Sequence, residues 1–248
     1  MRGEDPLEKS SRSGSGVPET TGDSWGSLRR DMGSQVTRTF LPVVIPLAAM
    51  WLIYVITLFT GNWVTITFGL NARSLSGLWG ILFMPLLHGS LGHLLGNTMS
   101  WLVLGGMVSL LTRRFILITA LIWIGTGVLL WLLGTPWICQ GPEGVECVRR
   151  HIGASGVVYG FGGFLIAYGI IARRFLAVVF SLFVMLGYGI TMLFGMLPIT
   201  SGSGVSWTAH LFGALTGVLV AFWFTRKIRS ERRLRRARRD IGRLSPGD

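Results

Sequence analysis

The sequence predicts an all-α, polytopic membrane protein. Half of its 248 residues are hydrophobic and only 14% are charged, whereas a soluble domain carries about 25% charged residues. Between Phe40 and Thr225 the only acidic residues are Glu143 and Glu146. Apolar runs of about 20 residues, the length needed to cross a bilayer, recur through this interval. We therefore predict six transmembrane helices, a first loop that lies in the membrane interface, and both termini in the cytoplasm.

The six predicted helices are separated by arginine pairs and by polar loops. Their predicted bounds are 40–60, 92–112, 114–134, 154–172, 174–197 and 207–226. The segment between the first two helices is too long for a turn and partly apolar, so we expect it in the interface, interrupted by Pro85. Most loop arginines fall on the side that also carries the basic C-terminal segment, and the positive-inside rule assigns that side to the cytoplasm.

The chain divides into three predicted regions. Residues 1–38 are polar, rich in Ser and Gly and balanced in charge, so we expect a disordered cytoplasmic tail without a cleavable signal peptide. Residues 39–226 form the membrane domain. Residues 227–248 are a basic cytoplasmic tail that supplies much of the net charge of +12. A basic run beside a membrane helix indicates binding to anionic lipid headgroups, and we expect no nucleic-acid partner.

Both cysteines fall in the third outside loop, residues 136–150. Cys139 and Cys147 would face an oxidising compartment there, where a small-loop disulfide can form. Two free thiols remain open as the alternative at this stage.

Unusual polar residues occupy the outer ends of three predicted helices. Helices two, four and six all enter the membrane from the outside, which places their first turns at a common depth. His93 and Asn97 lie in the first two turns of helix two, Ser155 in the first turn of helix four, and His210 in the first turn of helix six. Ionisable residues within membrane helices are costly and indicate function.

Small residues predict that helices four and six pack closely. Gly156 and Gly160 follow Ser155, and Gly213 and Gly217 follow His210, with GxxxG spacing. Ser155 and His210 should then face each other, so that the imidazole can take the hydroxyl proton and return it to a leaving group. The alternative is that the glycines serve packing alone and that Ser155 is an incidental small residue.

The predicted spans contain no Asp or Glu, and this absence excludes several catalytic mechanisms there. A Ser-His-Asp triad, an aspartyl dyad and an HExxH metal site all need a carboxylate. A Ser–His dyad remains, and we expect neither a metal nor a cofactor.

Several residues are candidates to support the dyad. The Ser155 amide, near a helix N-terminus, and the side chains of His93 and Asn97, spaced i, i+4 on one face, could donate to an oxyanion. Tyr159 lies four residues after Ser155 and either packs on the His210 ring or is an ordinary packing aromatic. His88 is expected to be a loop anchor. We assign no role to His151.

These residues together resemble the rhomboid family of intramembrane serine proteases, over roughly residues 40–226. The resemblance rests on three stretches that occur in the family's order, namely His88-x4-His93-x3-Asn97, Gly153-Ala154-Ser155-Gly156 with Tyr159, and Ala209-His210-x2-Gly213-x3-Gly217.

The resemblance implies a protease that cuts single-span membrane proteins near the outer face of a bacterial plasma membrane. Ser155 would be the nucleophile and His210 the general base, with His93, Asn97 and the Ser155 amide as the oxyanion hole. Gly153, Gly156, Tyr159 and His88 would support this site. Helix five and the cap after it, about 174–206, would gate substrate access. The Trp-Arg pair typical of the first loop in many bacterial rhomboids is missing, since Arg73 and Trp79 stand apart.

Two other function classes compete with the protease. A non-proteolytic membrane chaperone could hold transmembrane clients in the same helical groove. A transporter is disfavoured because the sequence shows no internal repeat and no intramembrane acid.

Overall fold

A computed structural model of the chain describes residues 23–134, 137–140, 146–198 and 206–244. The elements in chain order are α1 (Asp23–Thr60), α2 (Trp63–Phe68), α3 (Gly80–Phe83), α4 (Leu91–Ser100), α5 (Gly106–Leu111), α6 (Phe115–Leu133), β1 (Trp137–Gln140), β2 (Glu146–Arg149), α7 (Ser155–Ala172), α8 (Phe175–Gly187), α9 (Gly189–Gly195) and α10 (Trp207–Leu244). A π-helical segment, Trp101–Gly105, joins α4 to α5.

Among the described residues, five continuous segments are long and apolar enough to cross a membrane, and the bent pair α8–α9 provides a sixth span. In chain order the spans are Met32–Thr60, Leu91–Leu111, Phe115–Leu133, Ser155–Ala172, Phe175–Gly187 with Gly189–Gly195, and Trp207–Lys227. They agree with the predicted helices to within a few residues, apart from the earlier start of the first. The all-α polytopic fold is therefore confirmed.

The first helix begins well before the span that we predicted. Residues 23–38, which we expected to be part of a disordered tail, belong to α1, while residues 1–22 lie outside the described part of the chain. Extending an existing helix costs little once its first turns have formed, and residues 24–41 contain no proline to stop it. Helix thus replaces the disorder that we expected for residues 23–38.

The fifth span is broken, although the sequence predicted one helix there. Its two segments are bent by 60°, and the junction residue Tyr188 has a φ of −120° and a ψ of −14°. Gly187 and Gly189 flank this junction, and glycines are a common cause of sharp kinks. Of the cap predicted to follow this helix, residues 199–205 lie outside the described residues.

Span four lies at the centre of the bundle. Its share of buried residues, 72%, is the highest of the continuous spans, and its most extensive contact is with α10. A Cβ on Gly213 would collide with the carbonyl oxygen of Gly156, and one on Gly217 with that of Gly160. The predicted close packing of helices four and six is therefore confirmed at these four glycines.

The first loop is folded into short helical segments and is anchored to span three. The Nη1 of Arg73 donates to the Gly134 carbonyl at 2.7 Å, and the indole of Trp131 donates to the Ser74 carbonyl at 2.9 Å. Pro85 lies in a 3₁₀ turn just before α4. These bonds brace the loop without a Trp-Arg pair in its sequence.

The segment after span three contains a hairpin that the sequence did not reveal. β1 and β2 are antiparallel, and Cys139 lies opposite Cys147 in their register. Directly opposed residues have Cα atoms about 4.5–5.5 Å apart, within the range that a disulfide bridges.

We therefore expect reduction followed by alkylation to increase the protein's mass by two adducts, and alkylation without reduction to add none. Labelling of both cysteines before reduction would instead demonstrate two free thiols. A Cys139→Ser variant, which has one thiol that is free in either case, provides the control for alkylation efficiency.

Candidate functional site

Three spans begin at the same end of the bundle and carry the predicted site residues there. Spans two, four and six run in the same direction because successive spans alternate. His93 is the third residue of α4, Ser155 the first of α7 and His210 the fourth of α10. All of these residues therefore lie among the first four residues of their helices.

The His210 side chain is buried and is held on two sides. Its Nδ1 lies 2.9 Å from the carbonyl oxygen of Gly195, the last residue of α9. Its ring stacks on the ring of Tyr159, with centroids 3.9 Å apart and planes inclined by 6°. A carbonyl oxygen only accepts hydrogen bonds, so Nδ1 carries the proton and donates it. The lone pair of Nε2 is then available as a base.

Tyr159 connects this imidazole to span five and to the serine helix. Its hydroxyl donates to the Thr191 carbonyl at 3.3 Å, and its ring provides the stacking partner for His210 that we considered from the sequence. Tyr159 lies one turn after Ser155 on α7. The α9 segment therefore supplies acceptors to both the histidine and the tyrosine.

Ser155 lies beside the closest approach of α7 and α10. It is partly exposed and begins α7, so its amide lies among the helix N–H groups that have no acceptor within the helix. A Cβ on the next residue, Gly156, would lie 3.2 Å from the carbonyl oxygen of Ala209, which precedes His210. Ser155 precedes Gly156 and His210 follows Ala209, so this backbone contact lies next to both residues.

Span two brings His93 and Asn97 to the same place. Gly153, two residues before Ser155, has a φ of +107°, a region that favours glycine. A Cβ there would lie 2.6 Å from Nε2 of His93 and 3.5 Å from Nδ2 of Asn97. Both side chains therefore converge on the backbone that leads into Ser155, as their spacing predicted.

His88 anchors the first loop, as expected, and also orients Asn97. Nδ2 of Asn97 lies 3.0 Å from Nε2 of His88, and Nδ1 of His88 lies 3.3 Å from the Leu86 carbonyl. Because Nδ1 donates to that carbonyl, Nε2 accepts from the asparagine amide. In the same loop, the Met84 carbonyl accepts a hydrogen bond from the Gly153 amide at 2.8 Å.

Burial, and to a smaller extent the nearby His93, lower the pKa of His88 from 6.5 to about 4, although the hydrogen bond to the Leu86 carbonyl acts in the opposite direction. Between pH 6.5 and about 4 the unfolded chain therefore binds a proton at this position that the folded protein does not. The contribution of His88 to stability is complete above pH 6.5 and is lost as the pH falls to about 4. We expect thermal unfolding of the His88→Gln variant to depend less on pH across this interval than that of the wild type. The same pH dependence of thermal unfolding in the variant and in the wild type would contradict this effect of His88 on stability.

His151 has a structural position that the sequence did not indicate. Its backbone pairs with that of Leu70 through hydrogen bonds of 3.0 and 2.8 Å, and its Nδ1 lies 2.8 Å from the Ser206 hydroxyl. Ser206 in turn accepts from the Ala209 amide at 3.3 Å, at the start of α10. His151 therefore links the first loop to the segment that carries His210.

Two parts of the site were missed for different reasons. Ser206 precedes an apolar helix, which is an N-cap signal that could have been found from sequence. The Gly195 carbonyl is a backbone group, so no residue type could have revealed it.

The chain is similar to known proteins over most of its length. The family model of the Rhomboid domain matches residues 75–227. An uncharacterized protein of Mycobacterium tuberculosis (strain ATCC 25618 / H37Rv) is 37% identical over 191 residues, which are 77% of each chain. An uncharacterized protein of Mycobacterium leprae (strain TN) is 37% identical over 178 residues, covering 71% of this chain and 68% of that protein. The chain therefore belongs to the rhomboid family.

Proposed function

We propose that this membrane protein is an intramembrane serine protease, with Ser155 as its nucleophile and His210 as its general base. The observation that carries the proposal is the placement of His210 between the Tyr159 ring and the Gly195 carbonyl. These contacts give the imidazole the orientation and the tautomer that a general base needs. Membership of the rhomboid family, which includes intramembrane proteases, supports the same reaction class.

In the first step, Nε2 of His210 takes the hydroxyl proton of Ser155 while Oγ attacks the scissile carbonyl carbon. The imidazolium that forms keeps its Nδ1–H bond to the Gly195 carbonyl. The face of Tyr159 lies against the charged ring and favours it through a cation–π interaction. A backbone dipole and an aromatic face thus do the work that a buried carboxylate does in a triad.

The tetrahedral intermediate carries a negative oxygen that needs donors. The proposed donors are the Ser155 amide, the His93 ring and the Asn97 amide group, and the approach of the last two to Gly153 supports this assignment. One N–H of Asn97 is already directed at His88, which leaves the second N–H for the oxyanion.

In the second half of the reaction, the imidazolium gives its proton to the leaving amine as the peptide C–N bond breaks. A water molecule then attacks the acyl-enzyme, His210 accepts the water's proton, and Ser155 regains a hydrogen when the ester opens. Water must reach Ser155 for this step, and its partial exposure supports such access.

The proposal extends to substrate and location. The substrates are single-span membrane proteins, the membrane is a bacterial plasma membrane, and the site opens to its extracytoplasmic side. The basic C-terminal tail binds anionic headgroups on the cytoplasmic side. The Ser155-bearing ends of the spans lie opposite the end where this tail begins, which is consistent with that orientation.

Asn97→Ala is expected to lower turnover by about 10- to 1,000-fold, the loss associated with one oxyanion donor. Steady-state cleavage of a transmembrane substrate in detergent measures the effect. Met99→Ala, a substitution at an exposed position of the same helix, should retain wild-type turnover. Equal turnover of Asn97→Ala and the wild type would move the oxyanion role to other groups.

The proposal is tested without any knowledge of the substrate by reaction with a fluorophosphonate probe, which forms a bond to an activated serine Oγ and releases fluoride. We expect the purified wild type to be labelled and both Ser155→Ala and His210→Ala to remain unlabelled. Ser109→Ala, which removes a buried hydroxyl bonded to the Gly106 carbonyl in span two, should be labelled as the wild type is. A folded wild-type protein that remains unlabelled, yet co-purifies with intact single-span clients, would favour the holding function instead.

A further inference from the structure

A concave surface lies between spans four, five and six. We call it the apolar groove. Its volume is about 610 Å³, and its lining consists of Gly, Ala, Val, Leu, Ile, Met and Phe residues alone. Ile170, Met185 and Leu193 line it and are all exposed. The groove therefore opens laterally, toward the hydrocarbon of the membrane.

The length of the apolar groove favours a lipid as its occupant. On α10 it is lined by Ala214, Val218 and Phe222, a stretch of about 12 Å at the helical rise of 1.5 Å per residue. The hydrocarbon of one leaflet is about 15 Å thick, half of the roughly 30 Å core of a bilayer. The acyl chains of one lipid therefore match the groove, whereas a transmembrane helix would extend well beyond it.

Span five and the residue that follows it contribute three methionines to the lining, Met185, Met192 and Met196. Unbranched thioether side chains adapt to irregular apolar ligands more readily than branched ones do. Met185 lies before the bend of span five, and Met192 lies after it. An occupant of the groove therefore contacts both segments of the broken span.

The end of the groove remote from His210 has a positively charged rim. Arg226 follows Phe222 by four residues and so continues the helix face of Ala214, Val218 and Phe222. On span four, Arg173 and Arg174 follow the lining residue Ile170, and both are exposed. Residues 170–174 and 222–227 contain no acid to neutralise these cations. An anionic headgroup would complement this rim.

We propose that the apolar groove is a binding site for an anionic glycerophospholipid, with its acyl chains between spans four, five and six and its phosphate among Arg173, Arg174 and Arg226. The apolar lining, the length of the groove and the basic rim together specify this chemistry. Lipid binding at this groove requires no proteolysis, so it can be tested independently of the Ser155–His210 dyad.

The test is native mass spectrometry of the full-length Ser155→Ala protein, mixed in mild detergent with phosphatidylglycerol or with phosphatidylcholine of the same acyl chains. We expect retained phosphatidylglycerol to exceed phosphatidylcholine several-fold. Val218→Trp fills the groove and should reduce phosphatidylglycerol retention at least tenfold. Leu219→Trp places the same ring at an exposed position of α10 outside the lining and should retain lipid as the parent does.

The headgroup contact is tested separately, by surface substitutions that leave the bundle intact. Arg226→Gln should lower the preference for phosphatidylglycerol, whereas Lys227→Gln should not, because the Lys227 ammonium lies over the Trp223 ring, 5.2 Å from its centroid. Equal retention by Val218→Trp and Leu219→Trp, or no preference between the two lipids, would overturn the proposal. Displacement of the lipid by a single-span peptide would identify a helix as the occupant and would also overturn it.

Discussion

Alanine at Ser155 or at His210 is expected to abolish cleavage of a single-span membrane substrate, with a loss of at least about 10³-fold in turnover. Without Oγ no acyl-enzyme forms, and without the imidazole the hydroxyl keeps its proton. Because the two groups act as one unit, the double variant should lose no more than either single variant does. Cleavage is followed by separating the two product fragments after reconstitution in liposomes.

Thermal unfolding of each variant must show that it remains folded. Ser155 begins a helix and is partly exposed, so its hydroxyl is not needed for packing. Ser109→Ala again serves as the matched control and should cleave at the wild-type rate. Full activity of Ser155→Ala or of His210→Ala would refute the dyad.

Gly213→Ala is expected to be among the most damaging single-methyl substitutions in the packing of the bundle. Its Cβ would collide with the carbonyl oxygen of Gly156, a backbone atom that cannot rotate away. Overpacking a well-packed interior costs about 1–3 kcal/mol, and more where backbones must separate. We therefore expect the free energy of unfolding to fall by at least about 3 kcal/mol, as measured by denaturation in mixed micelles.

The matched control is Gly106→Ala in α5, since a Cβ at Gly106 meets no atom within 4 Å. Replacing a helical glycine by alanine in open space gains about 0.5–1 kcal/mol, so this variant should be slightly more stable. Separation of α7 and α10 would also move Ser155 away from His210, so residual folded Gly213→Ala should lose activity. A Gly213→Ala protein as stable as Gly106→Ala would show that the two helices do not rely on this contact.

The sequence by itself determined the number of membrane spans and the identity of most candidate site residues. Span length, the scarcity of charge and the confinement of polar residues to three helix ends are local properties, and hydrocarbon imposes them on each segment separately. GxxxG spacing is similarly local, and it identified which helices approach most closely. These signals were enough to place Ser155, His210, His93 and Asn97 at one end of the bundle.

Only the tertiary structure decided how these residues are held. The acceptor for His210 is a backbone carbonyl at the end of α9, which sits there because span five bends at Tyr188. His151 links the first loop to the start of span six, and His88 orients Asn97, through partners distant in the sequence. Backbone acceptors and long-range partners leave no trace in residue type or spacing, because any residue supplies a carbonyl and only the fold brings it within hydrogen-bonding distance.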